Sequence, residues 1–426
     1  MTEPPPRISP AASGLRRYWA WAQKGGWAVM DQALFAGSNF IVGLLLARWL
    51  APAAYGAFST AYTVFLLFGT LHNALWIDPM TVYGSGRFRA GYIHYQRILL
   101  KEHWRFGAAA FGLLLMAGIG FISLDQDSLG WSFLGLAAAS PLILFLWLAR
   151  RSAYVALEPR LATAGGALYL VLYFGLASAL FKLEWLNETS ALIVMGVASG
   201  ISGQWILYRS RRHAASAPME ISQTEVRALH WEYGRWALLT ALFSWAPANL
   251  LFLLLPFFEN LENIGGLRAM LTVFQPPIQI NSALAALLVT LYASMETLNA
   301  RRRLALTASA ALGALTAAYG ALMLFFGTTV ISFLLGPQYQ GYVDSFKIPL
   351  AALALLTAPI GALTSYFKAL EQPQVVTRVM FLSAIIGAVL SVIVLPLFGA
   401  VGAAWVMCAT YAAITINFLW RWIRNA

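Results

Sequence analysis

Charged residues are scarce in this sequence of 426: Asp, Glu, Lys and Arg together make up 11% of it, against about 25% in an average soluble domain. So small a supply cannot keep in water a chain that is 60% hydrophobic with a mean hydropathy of +0.69, and a soluble enzyme is excluded. Cysteine is almost missing as well. The single Cys408 rules out an internal disulfide and any multi-cysteine metal centre. The five histidines, His72, His94, His103, His213 and His230, have no ligand spacing, and neither G-x-x-x-x-G-K-[ST] nor H-E-x-x-H occurs. No cofactor or metal is therefore expected. Long polar stretches are also lacking, so no connection can hold a folded domain of ~50 residues outside a membrane. A net charge of +11 would suit nucleic acid only if it were gathered on one exposed face; here it gathers at one end of a set of hydrophobic runs.

Those runs are what the sequence has in abundance. A bilayer-crossing helix needs about 20 apolar residues, and hydropathy places twelve, at 27–47, 54–83, 105–124, 129–148, 161–181, 191–207, 236–257, 266–293, 304–326, 346–367, 375–396 and 399–420. The fold class is an all-α integral membrane protein of twelve transmembrane helices. With the N-terminus inside, 24 of the 28 Lys and Arg fall in cytoplasmic segments, as the positive-inside bias demands. Only Arg48, Lys182, Arg268 and Lys347 fall outside, with Asp125, Asp127, Glu184, Glu188, Glu259 and Glu262. Missing one helix would erase that asymmetry, so both termini are expected in the cytoplasm. Residues 1–13 are Pro-rich and expected to lack fixed structure. Residues 15–27, with Arg16, Arg17 and Lys24 beside Trp19, Trp21 and Trp27, read as an interfacial anchor.

The halves repeat each other. Tyr55-Gly56-Ala57-Phe58 opens the second span and Ile264-Gly265-Gly266-Leu267 the eighth, an offset of 209 shared by Thr63-Val64-Phe65 with Thr272-Val273-Phe274 and by Ala74-Leu75 with Ala283-Leu284. Ala156-Leu157-Glu158-Pro159 returns as Ala369-Leu370-Glu371-Gln372-Pro373. Common order and near-constant offset imply two six-helix lobes related by an internal repeat. The chain then divides into an N-terminal segment 1–26, a lobe 27–208, a cytoplasmic linker 209–235 and a lobe 236–426. An even number of spans per lobe gives both the same orientation, a transporter plan with the substrate between the halves.

Polar side chains at bilayer depth face the bundle interior. The eighth span carries Arg268, Thr272, Gln275, Gln279 and Ser282 on one helical face, and the second carries Ser59, Thr63, Thr70 and Asn73 at the corresponding positions. Such a stripe suits a hydrophilic cavity between lobes, while interhelical hydrogen bonding draws on the same residue types. Arg268 is the sharpest candidate, because a guanidinium holds phosphate in a bidentate way and stays charged. Arg48 either cooperates with it or snorkels to the interface. Asn39 and Asn249 occupy nearly equivalent places in the first and seventh spans. Asp31 and Asp78, near the inner ends of the first two spans, could load a proton, bind Na⁺ or pair with a neighbouring cation. Pro79, Pro247, Pro276 and Pro277 supply kinks.

Three stretches resemble the polysaccharide and O-antigen flippases of the multidrug/oligosaccharidyl-lipid/polysaccharide (MOP) exporter superfamily: 46–58 (LARWLAPAAYGAF), 335–339 (LGPQY) and 399–404 (GAVGAA). Ala51-Pro52-Ala53-Ala54 departs from the Gly-Pro-acid pattern usual there. The resemblance implies a bacterial inner-membrane protein, not an enzyme, that moves polyprenyl-pyrophosphate-linked oligosaccharide to the outer leaflet by alternating access. Arg268 and Arg48 would contact the pyrophosphate, H⁺ or Na⁺ would be the coupling ion, and membrane lipids and other polysaccharide-assembly proteins would be partners. A cation-coupled exporter of organic cations is the alternative, but it would favour carboxylates where this chain has Arg268. A membrane glycan polymerase would need a substantial outer loop with catalytic acids, and the longest one expected, 327–345, holds only Asp344.

Overall fold

The computed structural model describes residues 10–213, 220–370 and 372–424, with the side chains of 10–25 and of a few later residues, Ser282 among them, outside the description. Every regular element among these residues is helical: α1 (Pro10–Trp49), α2 (Pro52–Ser85), α3 (Tyr92–Ser123), α4 (Asp127–Val155), α5 (Pro159–Lys182), α6 (Glu188–His213), α7 (Gln223–Leu254), α8 (Leu261–Ser294), α9 (Leu298–Leu335), α10 (Gln340–Ala369) and α11 (Pro373–Arg424). Ten helices among the described residues are long and apolar enough to cross a membrane. The expected count of twelve differs from these eleven because α11 takes in both of the last two spans. Its 52 residues break at Gly399, whose φ of 50° and ψ of −133° belong to no helix.

The helices outrun the apolar windows, since backbone hydrogen bonding continues where hydropathy stops. α1 starts at Pro10, in a stretch expected to lack structure; proline at a first helical position loses no bond, because that N–H has no acceptor. The expected outer loop 327–345 is helical except for Gly336 (φ 102°) and the turn Pro337–Tyr339. Most of the expected linker also belongs to helices, α6 reaching His213 and α7 starting at Gln223. The start of α7 is docked. His230 joins the Leu75 carbonyl (2.9 Å) and the Tyr95 hydroxyl (2.7 Å), while Arg227 pairs with Glu102 at 3.0 Å.

The two copies of the Ala-Leu-Glu motif build corresponding corners. In one, Leu157 takes a φ of 59° and Pro159 opens α5; in the other, Leu370 caps α10 and Pro373 opens α11, with Glu371 outside the described residues. Helix contacts follow the repeat as well. α4 packs on α3 and α6, and α5 on α1 and α6, whereas α10 packs on α8, α9 and α11, and α11 also on α7. The helices that join these groups are α2, which lies on α8 and α7, and α1, which lies on α8. Alternation puts the turns 86–91, 156–158 and 295–297, which hold or adjoin Arg87, Arg89, Arg150, Arg151, Arg160 and Arg301 to Arg303, at one end, called the basic end here, and the starts of α2 and α8 at the other, the far end.

Candidate functional site, a polar cavity between α1, α2 and α8

A cavity of about 190 Å³ opens where α1, α2 and α8 meet, and Asn39, Ser59, Arg268, Thr272, Gln275 and Gln279 are in its lining. These are six of the residues picked out by polarity and spacing. Their convergence follows from the helix period: steps of four, three and four residues from Arg268 to Gln279 keep one face of α8 toward the cavity. Tyr55, Phe58, Tyr62, Leu66 and Met195 complete much of the wall. Polarity could not point to them, though Tyr55 and Phe58 stand in the repeated motif.

Arg268 is held from behind. Its guanidinium carbon lies 5.0 Å from the centre of the Phe252 ring, and no ion pair to it exists among the described residues. Among the described residues no carboxylate lines the cavity, and the only formal charge that they bring to this lining is thus positive. Across the cavity the Tyr55 hydroxyl and Thr272 Oγ1 lie 3.3 Å apart and link α2 to α8.

Other candidates lie elsewhere. Thr63 and Thr70 donate to the carbonyls of Ser59 (2.9 Å) and Leu66 (2.8 Å) in their own helix, and Asn249 donates to Trp245 O (3.0 Å) in the same manner. Arg48 stands at the far end, where its Nη1 donates to Phe333 O at 2.7 Å. Asn73 and Asp31 belong to a second cavity, of about 170 Å³, nearer the basic end, with Gln32, Arg150, Arg151 and Tyr154. There Arg150 donates to Asp31 at 2.8 Å and the Tyr154 hydroxyl donates at 2.7 Å, in a pair that is almost wholly buried. A cavity of about 20 Å³, room for a water, lies between the two: it shares Asn39, Tyr62 and Met195 with the first and Phe35, Trp147 and Arg150 with the second. Asp78 lies on a wider recess, between α2 and α7.

At the far end the cavity is closed by backbone. A Cβ on Gly56 would fall 1.8 Å from Leu261 O, and one on Gly265 would fall 2.0 Å from Pro52 O. α2 and α8 therefore cross at van der Waals contact of their main chains.

No protein-family model matches the chain, and no curated protein matches it by sequence. Solved structures do match it. The chain is similar to a multidrug resistance MATE family transporter of the MOP superfamily in its inward-facing conformation, with a TM-score of 0.73 and 13% identity over 93% of this chain and 98% of that one. It is similar to the lipid II flippase MurJ in an inward closed conformation, with a TM-score of 0.68 and 10% identity over 94% and 87%. It also matches a MOP superfamily transporter from Pyrococcus furiosus, described as having a binding pocket of reverse polarity, with a TM-score of 0.64 and 14% identity over 93% of each chain. What these likenesses establish is architecture: the chain is built on the fold of the MOP superfamily transporters.

Proposed function

We propose that this protein is a flippase that carries polyprenyl-pyrophosphate-linked oligosaccharide across a bacterial inner membrane for surface or exopolysaccharide synthesis. Residues 27–208 and 236–426 would act as two lobes that rock about the cavity by alternating access, with both termini in the cytoplasm. The observation that carries this reading is Arg268, a cation with no counter-ion among the described residues, set in a polar cavity to which those residues bring no carboxylate. A pyrophosphate supplies the missing charge and can take two parallel N–H bonds. The flanking amides and hydroxyls of Asn39, Ser59, Thr272, Gln275 and Gln279 suit sugar hydroxyls, while the lipid tail stays in the bilayer. An organic-cation exporter would need the opposite polarity at this point. The closed far end corresponds to a state that loads from the basic end.

The test is leaflet location. In cells lacking the protein, lipid extracts are expected to accumulate a polyprenyl-pyrophosphate glycan that only inverted vesicles expose. Wild type should clear it and Arg268→Ala, though inserted and folded, should not. A lipid-linked pool left unchanged by loss of the protein would overturn the reading.

A further inference from the structure

We infer that the recess between α2 and α7 at the basic end is a glycan-recognition site, filled while the substrate still lies in the leaflet from which it is loaded. This rests on the flippase reading and adds to it a second, sugar-specific contact. The recess has a volume of about 750 Å³, within the range of ligand pockets of ~300–1,000 Å³. Asp78 lines it from α2, and Glu232, Tyr233, Arg235, Trp236, Thr240 and Ser244 line it from α7. On α7 the positions 233, 236, 240 and 244 share one face, so the wall is continuous along about three helical turns.

The chemistry is that of a carbohydrate site. Neither Asp78 nor Glu232 has an ion pair or a side-chain hydrogen bond among the described residues, although Arg151 is near Asp78 and Arg235 lines the same recess. Each carboxylate presents acceptors that neighbouring sugar hydroxyls can fill. Trp236 and Tyr233 are both exposed and offer flat apolar faces to the C–H side of a sugar ring. Both rings are steadied, Trp236 by Arg235 at 5.6 Å and Tyr233 by the edge of Tyr83 at 6.3 Å. Tryptophan alone at this level could be a belt residue facing the headgroups. A belt has no use for two unpaired carboxylates in the same concavity. Charge also distinguishes the two sites: the recess carries Arg235 beside its two acids, whereas Arg268 is the one charged residue among those lining the other cavity. From Leu66, which lines the Arg268 cavity, to Asp78 is 12 residues of α2, about 18 Å at helical rise, so a single sugar cannot fill both together. The recess serves loading and the Arg268 cavity serves passage.

The experiment titrates farnesyl pyrophosphate, and its glucosyl, galactosyl and N-acetylglucosaminyl conjugates, into the full chain in nanodiscs. At least one conjugate should bind about tenfold tighter than the bare probe, a gain of ~1.4 kcal/mol. Asp78→Asn and Trp236→Leu should each bring that ratio close to one while leaving bare-probe affinity as in wild type, and Trp236→Phe should keep most of it. A ratio unchanged in both variants, or no gain from any sugar in wild type, overturns the recess as a glycan site. The anion reading is judged apart: it fails if Arg268→Ala binds the bare probe as tightly as wild type.

Discussion

Gly56 and Gly265, equivalent positions of the internal repeat 209 residues apart, touch each other. The contact is reciprocal. A Cβ on Gly56 would meet Leu261 O and Gly265 N, at 1.8 and 3.0 Å; one on Gly265 would meet Pro52 O and Gly56 N, at 2.0 and 3.0 Å. Pro52 and Leu261 are themselves 209 apart. A residue that meets its own duplicate in this isologous manner sits beside the local two-fold relating α2 to α8. Closure at the far end is therefore symmetric, and it depends on two missing methyl groups.

Gly56→Ala is accordingly expected to hold the far end apart, since the obstacle is main chain and has no rotamer to change. Overpacking of this kind costs about 1–3 kcal/mol, enough to shift a balanced pair of conformations by about fivefold or more. Maleimide labelling reads it, because native Cys408 is buried and can be replaced by Ala before a cysteine is placed at Ser59. Reagent added at the far end should react faster with the Gly56→Ala protein than with its parent. Equal rates would mean that this crossing is not the closure.

The buried Asp31–Arg150 pair gives a separate test. Its 2.8 Å bond is shielded by Phe35, whose ring lies 4.3 Å from the guanidinium carbon. Removing one partner strands a charge and should cost about 3–5 kcal/mol, whereas an apolar pair of similar size costs far less. Thermal unfolding in detergent should rank Asp31→Ala and Arg150→Ala well below wild type, with Asp31→Leu/Arg150→Met recovering much of the loss. Losses that simply add in the double variant would show the two residues to be uncoupled.

Arg268, Gln275 and Gln279 were legible as a site because one helical face is written into their spacing and their long side chains must reach outward from it; Thr272 shares that face although its hydroxyl also bonds the Arg268 carbonyl at 3.0 Å. The matching stripe on α2 was less legible. Thr63 and Thr70 are short enough to bond their own i−4 carbonyls, a local choice that spacing cannot anticipate. Asp31 finds Arg150 at a separation of 119 residues, and no linear pattern connects them. Hydropathy located the spans but drew them short: in α9, for example, apolar character and helical hydrogen bonding end at different residues. The break in α11 was visible as the gap between two spans, though not its cause.

That cause is Gly399 with Glu259. The carboxylate of Glu259 accepts from Ala400 N at 3.1 Å, and a Cβ on Gly399 would fall 2.0 Å from Glu259 Oε2. Gly399→Ala would combine a left-handed φ of 50° with the loss of this N-terminal cap, itself worth about 1 kcal/mol. The protein should lose ~2–3 kcal/mol of stability. Gly313→Ala is the control: it lies inside α9 with nothing within 4 Å of its Cβ, so it should be neutral or stabilise by up to ~1 kcal/mol. Equal unfolding temperatures for the two variants would remove any special role for the Gly399 break.

Arg48 and Arg268 were paired in the sequence as candidate anion contacts, yet the structure places them in different surroundings. Arg48 Nη1 donates to Phe333 O, while Gln338 Nε2 donates to Arg48 O at 3.3 Å, so this arginine ties the end of α1 to the end of α9. A cation there also meets the negative end of the α9 dipole, and that contact is complete without substrate. Arg268 lies over the Phe252 ring and has no ion pair among the described residues. The two should therefore separate in binding and in conformation. Arg268→Ala should weaken farnesyl pyrophosphate binding by roughly ten- to hundredfold, the worth of ~1.5–3 kcal/mol of charge-assisted hydrogen bonding, and Arg268→Lys should recover the charge without the bidentate fit. Arg48→Ala should leave that affinity unchanged and instead speed maleimide labelling at position 59 from the far end, as Gly56→Ala does. If Arg48→Ala lost as much affinity as Arg268→Ala, the anion site would have to extend to the far end, and the Phe333 contact would be a resting place that Arg48 leaves when the substrate arrives.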